Sequence, residues 1–329
     1  MRILSAADVR RALPMPDAIE AMRQAFAALS DGRADVPERI HLDMEAHRGV
    51  CLVMPSFVRL AGGDALATKI VSLFDGNPAR GLARIQAAVI ALEPDTGRPL
   101  ALLEGATLTA IRTGAASGLA TELLARADCR TAAVLGAGVQ ARTQLEAVCT
   151  VRAIETVRVH DPRADAVEAF IAEVAGRGPI PADVRPAASA REALADADIV
   201  CAATTAHRPA FDDADLQCGA HVNAIGSYQP HVVEVPPETV ARAVLVVDSR
   251  DAALAEAGDL IQPIAAGLIT PGHIRAELGE LVLGRRKGRQ NAGQITLFKS
   301  VGVAVQDAAA ARAALARAEK MGLGQEVPW

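Results

Sequence analysis

The apolar positions change rhythm near residue 130, and the change predicts two sorts of element. Before it, helix and strand patterns mix. Ile19, Met22, Phe26 and Leu29 recur at helical spacing, which predicts a helix over 6–31. VCLVMPSFV and ALATKIVSLF read as strands. IQAAVIAL and RPLALLEG flank EPDTG and predict a hairpin whose Gly97 supplies the positive φ of the turn. TLTAIRTGAASGLATELLAR predicts a helix of small residues that another backbone can approach closely. From Thr131 short apolar runs alternate with helical or loop segments: TAAVLG, ETVRVHD, ADIVCAAT, HVNAIGS, AVLVVDS and ITLFKSVG. Runs without polar alternation suit strands buried on both faces of a parallel sheet. Repeated βα units of this kind predict a doubly wound α/β domain. The final AVQDAAAARAALARAEKMG is a helix expected to return to the first domain.

Composition narrows the chemistry. The 329 residues are 51% apolar but only 2% aromatic, so the cores must be built from Ala, Val, Leu and Ile. A net charge of −5 argues against a nucleic-acid or anionic-membrane surface. The basic run GRRKGR has no interleaved aromatics to stack bases and reads as a solvated loop. MRILSAADVRRALP carries charges where a signal peptide needs an apolar stretch, and no apolar run approaches the roughly 20 residues of a membrane span. The expectation is a soluble, cytoplasmic protein. Five dispersed cysteines without a CxxC pair predict neither a disulfide framework nor a zinc site, and no metal is expected.

VLGAGVQA is the most legible motif. Gly136 and Gly138 follow a strand, and Val139, Gln140 and Ala141 open a helix, giving GxGxxA. The first glycine permits a tight turn, the second admits a pyrophosphate, and the small third residue lets helix and strand pack. The helix N-terminus adds unpaired N–H groups and the positive end of its dipole. A second strand ends at Asp161, placed to accept from a ribose 2′-OH. That carboxylate would repel a 2′-phosphate, so NAD is favoured; Arg163, two residues on, leaves NADP open. In such sheets ligands lie beyond the carboxyl ends of the strands. Thr204, Asn223, Ala224, Ile225, Gly226, Ser227, Tyr228, Asp248, Lys299 and Ser300 all follow apolar runs there.

Three cations precede the motif. Lys69 interrupts ALATKIVSLF and is either a charge protecting an edge strand or an ammonium turned toward an anion. Arg112, among Ala, Thr and Gly, should find its partner off the helix: a phosphate, a substrate carboxylate or solvent. Arg39 reads as a surface residue. Tyr228, the one tyrosine of the chain, sits in the loop NAIGSYQPH.

Taken in order, LVMPSF, TKIVSLF, IQAAVIALEPDTGRPLALLEG, IRTGAASGLAT, VLGAGVQA, HVNAIGS, VVDS with EAGD, AELGEL and LFKSVGVAVQD resemble the ornithine cyclodeaminase/mu-crystallin family along nearly the whole chain. The resemblance implies a Rossmann domain, 117–302, and an α/β substrate-binding and dimerisation domain built from 1–116 and 303–329. It implies a homodimer that binds NAD(P) and moves a hydride at the α-carbon of an amino or imino acid. Arg39 and Lys69 match substrate-carboxylate ligands. Arg112 and its neighbour Thr113, Val139, Gln140, Asp161 and the 223–226 backbone match cofactor contacts. Ser300 and Val301 match the loop near the reacting centre.

One position departs. Ornithine cyclodeaminases carry an aspartate where this chain has Tyr228. Cyclodeamination needs several proton transfers near neutral pH, which a tuned carboxylate can serve. A phenol, with a reference pKa of about 10, donates more readily than it accepts. The expectation is therefore a reductase of cyclic or open imino acids, or an amino-acid dehydrogenase. Lys69 or Tyr228 would supply the proton, unless Tyr228 only shapes the pocket. The rivals are an ornithine or lysine cyclodeaminase with a rearranged acid/base and a non-catalytic NAD(P)-binding protein.

Overall fold

A computed structural model describes residues 1–329, and the chain resolves into two compact units. The first is Met1–Arg112 with Val303–Trp329; the second is Thr113–Gly302.

The first unit begins with β1 (Arg2–Leu4), α1 (Ala6–Ala12) and α2 (Met15–Ser30). The apolar period predicted one helix here, but the structure breaks it at Leu13-Pro14. Proline has no N–H to return to the preceding turn and pushes the residue before it out of helical geometry. Leu13 accordingly sits at φ −130°, ψ 71°, and Pro14 becomes the extended cap of α2. Next come β2 (Ala34–Asp35), β3 (Ile40–Met44), β4 (Gly49–Val58), β5 (Ala65–Phe74), β6 (Ile85–Leu92) and β7 (Pro99–Glu104). Strands β4 to β7 form an antiparallel meander, with β2 and β3 on β4 and β1 parallel to β7. Gly97 turns the β6–β7 hairpin at φ +71°.

Burial alternates along β5, with Ala65, Ala67, Lys69, Val71 and Leu73 inward. The helix Ala304–Met321 packs against β4, β5 and α2. Lys69 therefore lies on a central strand and points into the core, which disposes of the edge-strand alternative. On the other face Ile70 is left 39% exposed, and the neighbouring Ile40, Leu42 and Ile85 are also exposed.

Helix α3 (Gly105–Leu124) begins in the first unit and ends in the second. Its small residues have a packing cause: a Cβ on Gly105 would lie 2.7 Å from the Ala87 carbonyl carbon.

The second unit runs β8 (Thr131–Leu135), α4 (Val139–Val151), β9 (Thr156–His160), α5 (Ala164–Val174), β10 (Val184–Pro186), α6 (Ala190–Leu194), β11 (Ile199–Ala202), β12 (His221–Ala224), α7 (Pro237–Arg242), β13 (Val244–Val247), α8 (Arg250–Glu256), α9 (Gly258–Ala265), β14 (Ala276–Glu277), α10 (Leu278–Val282) and β15 (Thr296–Lys299). All eight strands are parallel, in the order β10-β9-β8-β11-β12-β15-β13-β14. Both faces are covered. Ala132, Val134, Val157 and Val159 pack with α4 and α5, whereas Ala133, Leu135, Val200 and Val222 pack with α6 to α9. This is a doubly wound α/β sheet. The chain reverses direction about β8, so the switch point lies between β8 and β11. Arg289, from the basic run read as solvated, instead bonds inward to Leu124 O, Ala220 O and Thr296 Oγ1. No helix is long and apolar enough to cross a membrane.

Candidate functional site

In the second unit the glycine motif stands at the switch point. Gly136 has φ +91°, and a Cβ there would lie 2.6 Å from Ala203 O, the carbonyl after β11. Gly138 caps α4 without a side-chain bond, and a Cβ there would meet nothing within 4 Å. Val139 is 70% exposed at the helix start. Open space in front of uncapped helical N–H groups is what a pyrophosphate requires. The residues therefore fit a dinucleotide.

Asp161 follows β9 and does more than the sequence indicated. Its Oδ2 accepts from Ala137 N at 2.9 Å, bracing the glycine loop, and its Oδ1 accepts from Arg163 N at 2.9 Å and Nε at 3.3 Å. Burial pushes its pKa up, but the Arg163 and Ala137 N–H groups and the Arg163 guanidinium outweigh that and hold it below the usual range. Arg163, the cation that left NADP open, is itself paired with this carboxylate.

The loops past the other strands are tied by protein groups. Thr204 donates its N–H and hydroxyl to Glu234, and Gly226 N donates to the same carboxylate. Asn223 turns its side chain into the sheet, giving Nδ2 to Thr121 Oγ1 and accepting from His221. That imidazole is driven down to about 3 by burial, with Arg289 adding to the effect, and is neutral. The side chains of Thr204 and Asn223 are thus committed within the protein, and what they offer a nucleotide is backbone. Ser300 Oγ, Val301 N and Gly302 N all donate to Asp248 Oδ2, which fixes the loop after β15. Ala224 is buried, Ile225 and Tyr228 are half-buried, and Gln140 lies in the first turn of α4.

The first unit gathers its cations around a residue the sequence reading overlooked. Asp307, 1% exposed, pairs through Oδ2 with Lys69 Nζ at 2.7 Å and through Oδ1 with Arg112 Nε at 3.0 Å. Arg112 Nη1 also donates to Gln306 Oε1 at 2.6 Å. Its off-helix partner is thus a protein carboxylate and amide. Thr113, next on α3, is buried. Burial pushes the Lys69 ammonium down to about 8, with Arg112 and Arg39 adding to the effect and Asp307 opposing it. Burial raises Asp307, but Arg112 and Lys69 outweigh it and keep the carboxylate ionised. Lys69 and Arg112 share this one carboxylate, so the ion-paired trio carries a net positive charge. Gln306 Nε2 is buried without a hydrogen-bond partner, a donor left beside that charge. The signal for Asp307 was present as the one acid in AVQDAAAARAALA, the alanine-rich buried part of the last helix.

The model of the ornithine cyclodeaminase/mu-crystallin family matches residues 1–321. A Delta(1)-pyrroline-2-carboxylate reductase of Bacillus cereus is 38% identical over 328 residues, covering 99% of each chain. The solved structure of Thermococcus litoralis Delta(1)-pyrroline-2-carboxylate reductase in complex with NADH and L-proline superposes with a TM-score of 0.94 at 44% identity, over 99% of this chain and 100% of that one. An archaeal alanine dehydrogenase dimer with bound NAD gives a TM-score of 0.91 at 32% identity, over 100% of this chain and 99% of that one.

Proposed function

This chain belongs to the ornithine cyclodeaminase/mu-crystallin family, and from that premise we propose that it reduces an α-imino acid, with a cyclic imine such as pyrroline-2-carboxylate as the leading substrate. The observation that carries the reading is the charge balance at Asp307: two cations, Lys69 and Arg112, share its single carboxylate, and a substrate carboxylate would supply a second negative charge. The likeness to reductases of that imine, at up to 44% identity over full length, supports the same substrate class.

In this reading the first unit binds the acid, and Lys69 and Arg39 orient it, mainly a positioning effect. Gly136, Gly138, Val139, Gln140 and Asp161 hold the nucleotide, with Arg112, Thr113, Thr204, the 223–226 backbone and Ser300 as further contacts and Val301 against the substrate. NADH, when bound, supplies the hydride for the α-carbon. Tyr228 Oη or Lys69 Nζ delivers the proton to the imine nitrogen. NAD is preferred over NADP because Asp161 is ionised and Arg163 is spent on it. The partly uncovered apolar face around Ile70 supports a homodimer formed through the first unit's sheet, and five free cysteines support a reducing, cytoplasmic setting.

The test is NADH oxidation across cyclic imines and 2-oxo acids with ammonia. Turnover of pyrroline-2-carboxylate is expected. Release of ammonia and proline from ornithine, with none of the panel reduced, would replace the reading with cyclodeamination.

Two further results are expected. kcat/KM reports the free enzyme, so it should fall as pH rises through about 8, where Lys69 loses the charge that anchors the substrate. Stability should not fall with it. A folded-state pKa below the unfolded value means the native state releases its proton first, so this group's contribution to stability rises from about pH 8 to the reference lysine value near 10.4. A pH–rate profile read beside a pH–Tm series separates the two. Tyr228→Phe should lower kcat by about tenfold or more if the phenol donates the proton; an unchanged rate and pH profile would leave it as pocket wall.

A further inference from the structure

Inside the second unit lies a charged group that the chemistry above does not use. Glu234, Asp259 and Lys299 are each 0% exposed. Lys299 Nζ pairs with Asp259 Oδ2 at 2.7 Å and donates to Ser227 O at 2.6 Å. The other oxygen of Asp259 accepts from Glu234 N at 2.6 Å and Val235 N at 2.9 Å. The Glu234 carboxylate is thereby presented to two strand ends at once. Its Oε1 accepts from Thr204 N at 2.6 Å and Thr204 Oγ1 at 2.9 Å, and its Oε2 accepts from Gly226 N at 2.8 Å.

Stability does not account for this arrangement. Three charges withdrawn from water carry a large desolvation cost, and well-packed apolar residues in such places are often as stable or more so. What the group provides is geometry. Glu234 links Thr204, two residues past β11, to the turn after β12, and Lys299 grips the carbonyl immediately before Tyr228. The close approach needs Gly226, because a Cβ there would clash with Thr204 O and Glu234 Oε1. In the proposed nucleotide site, the glycine motif and Asp161 would hold the adenosine and pyrophosphate end through separate contacts.

We propose that Glu234, carried on the Lys299–Asp259 ion pair, is a positioning residue that sets the nicotinamide half of the nucleotide site by fixing Thr204, Gly226 and the Tyr228 loop. The proposal rests on the reading of the second unit as an NADH site. The test compares two probes, NADH and ADP-ribose, on the wild type and on Glu234→Gln. Glutamine keeps the volume but replaces one acceptor oxygen with an NH2 that faces an N–H donor, so one of the two loops must be released. The Kd for NADH should rise by about tenfold, an expected loss for one buried charged acceptor, while the Kd for ADP-ribose stays within about twofold. Loss of affinity for both ligands in parallel, or for neither, would overturn the assignment. Should the wild type bind neither probe, the nucleotide reading itself would fail, and the positioning role with it. If Glu234→Gln does not fold, Thr204→Val removes one donor to the same carboxylate. It should weaken NADH by about threefold and spare ADP-ribose; no change in either would be equally fatal.

Discussion

Lys69→Met is expected to lower kcat/KM for a cyclic α-imino acid by at least about 10³ while the Kd for NADH stays within about twofold. The size follows from the loss, in one substitution, of a charged anchor for the carboxylate and of one of the two proposed proton donors. Selectivity for activity follows from the surroundings. Lys69 is 2% exposed on the inward face of β5, where methionine matches the stem and an uncharged tip. Asp307 keeps its bond to Arg112, so no carboxylate is stranded. A modest change in Tm is therefore expected beside the large kinetic loss, and a collapse of Tm would show instead that the pair is a folding element. Asp307→Asn sharpens the point. It removes the one group that raises the Lys69 pKa, so the alkaline limb of the pH–rate profile should move below about 8. An unmoved limb would assign that limb to another residue.

The parallel sheet was legible because strands buried on both faces print as TAAVL, IVCA and VLVV, and because glycines, helix and acid fall in order from Gly136 to Asp161. The cations of the first unit were legible as residue types out of place in apolar runs. Their partner was not. Asp307 is 195 residues from Arg112 in sequence and 238 from Lys69, and pattern along the chain carries no information about such a pairing. The same holds for Glu234, Asp259 and Lys299. Helix α1–α2 failed for the opposite reason: periodicity ran through Leu13-Pro14, and local proline chemistry overrode it. Thr204 lies past β11, whereas Asn223 lies within β12, one residue short of its end. Which way their side chains turned depended on Glu234, Thr121 and His221, none of them close in sequence to both.

The two motif glycines should separate binding from folding. Gly138→Ala is expected to raise the Kd for NADH by about 100-fold while leaving Tm within about 1–2 °C. Gly138 has φ −82°, which alanine adopts without strain, and the added methyl meets no protein atom within 4 Å. The space it enters is the approach that a pyrophosphate needs to the α4 N-terminus. Gly136→Ala should lose NADH to a similar extent but also lower Tm by several degrees. Its φ of +91° is strained for any side chain, and the new Cβ would be driven against Ala203 O at the switch point. Calorimetry and NADH fluorescence on the two variants measure both quantities. If Gly138→Ala bound NADH like the wild type, the cradle would not face the pyrophosphate, and the nucleotide would have to lie elsewhere on this sheet.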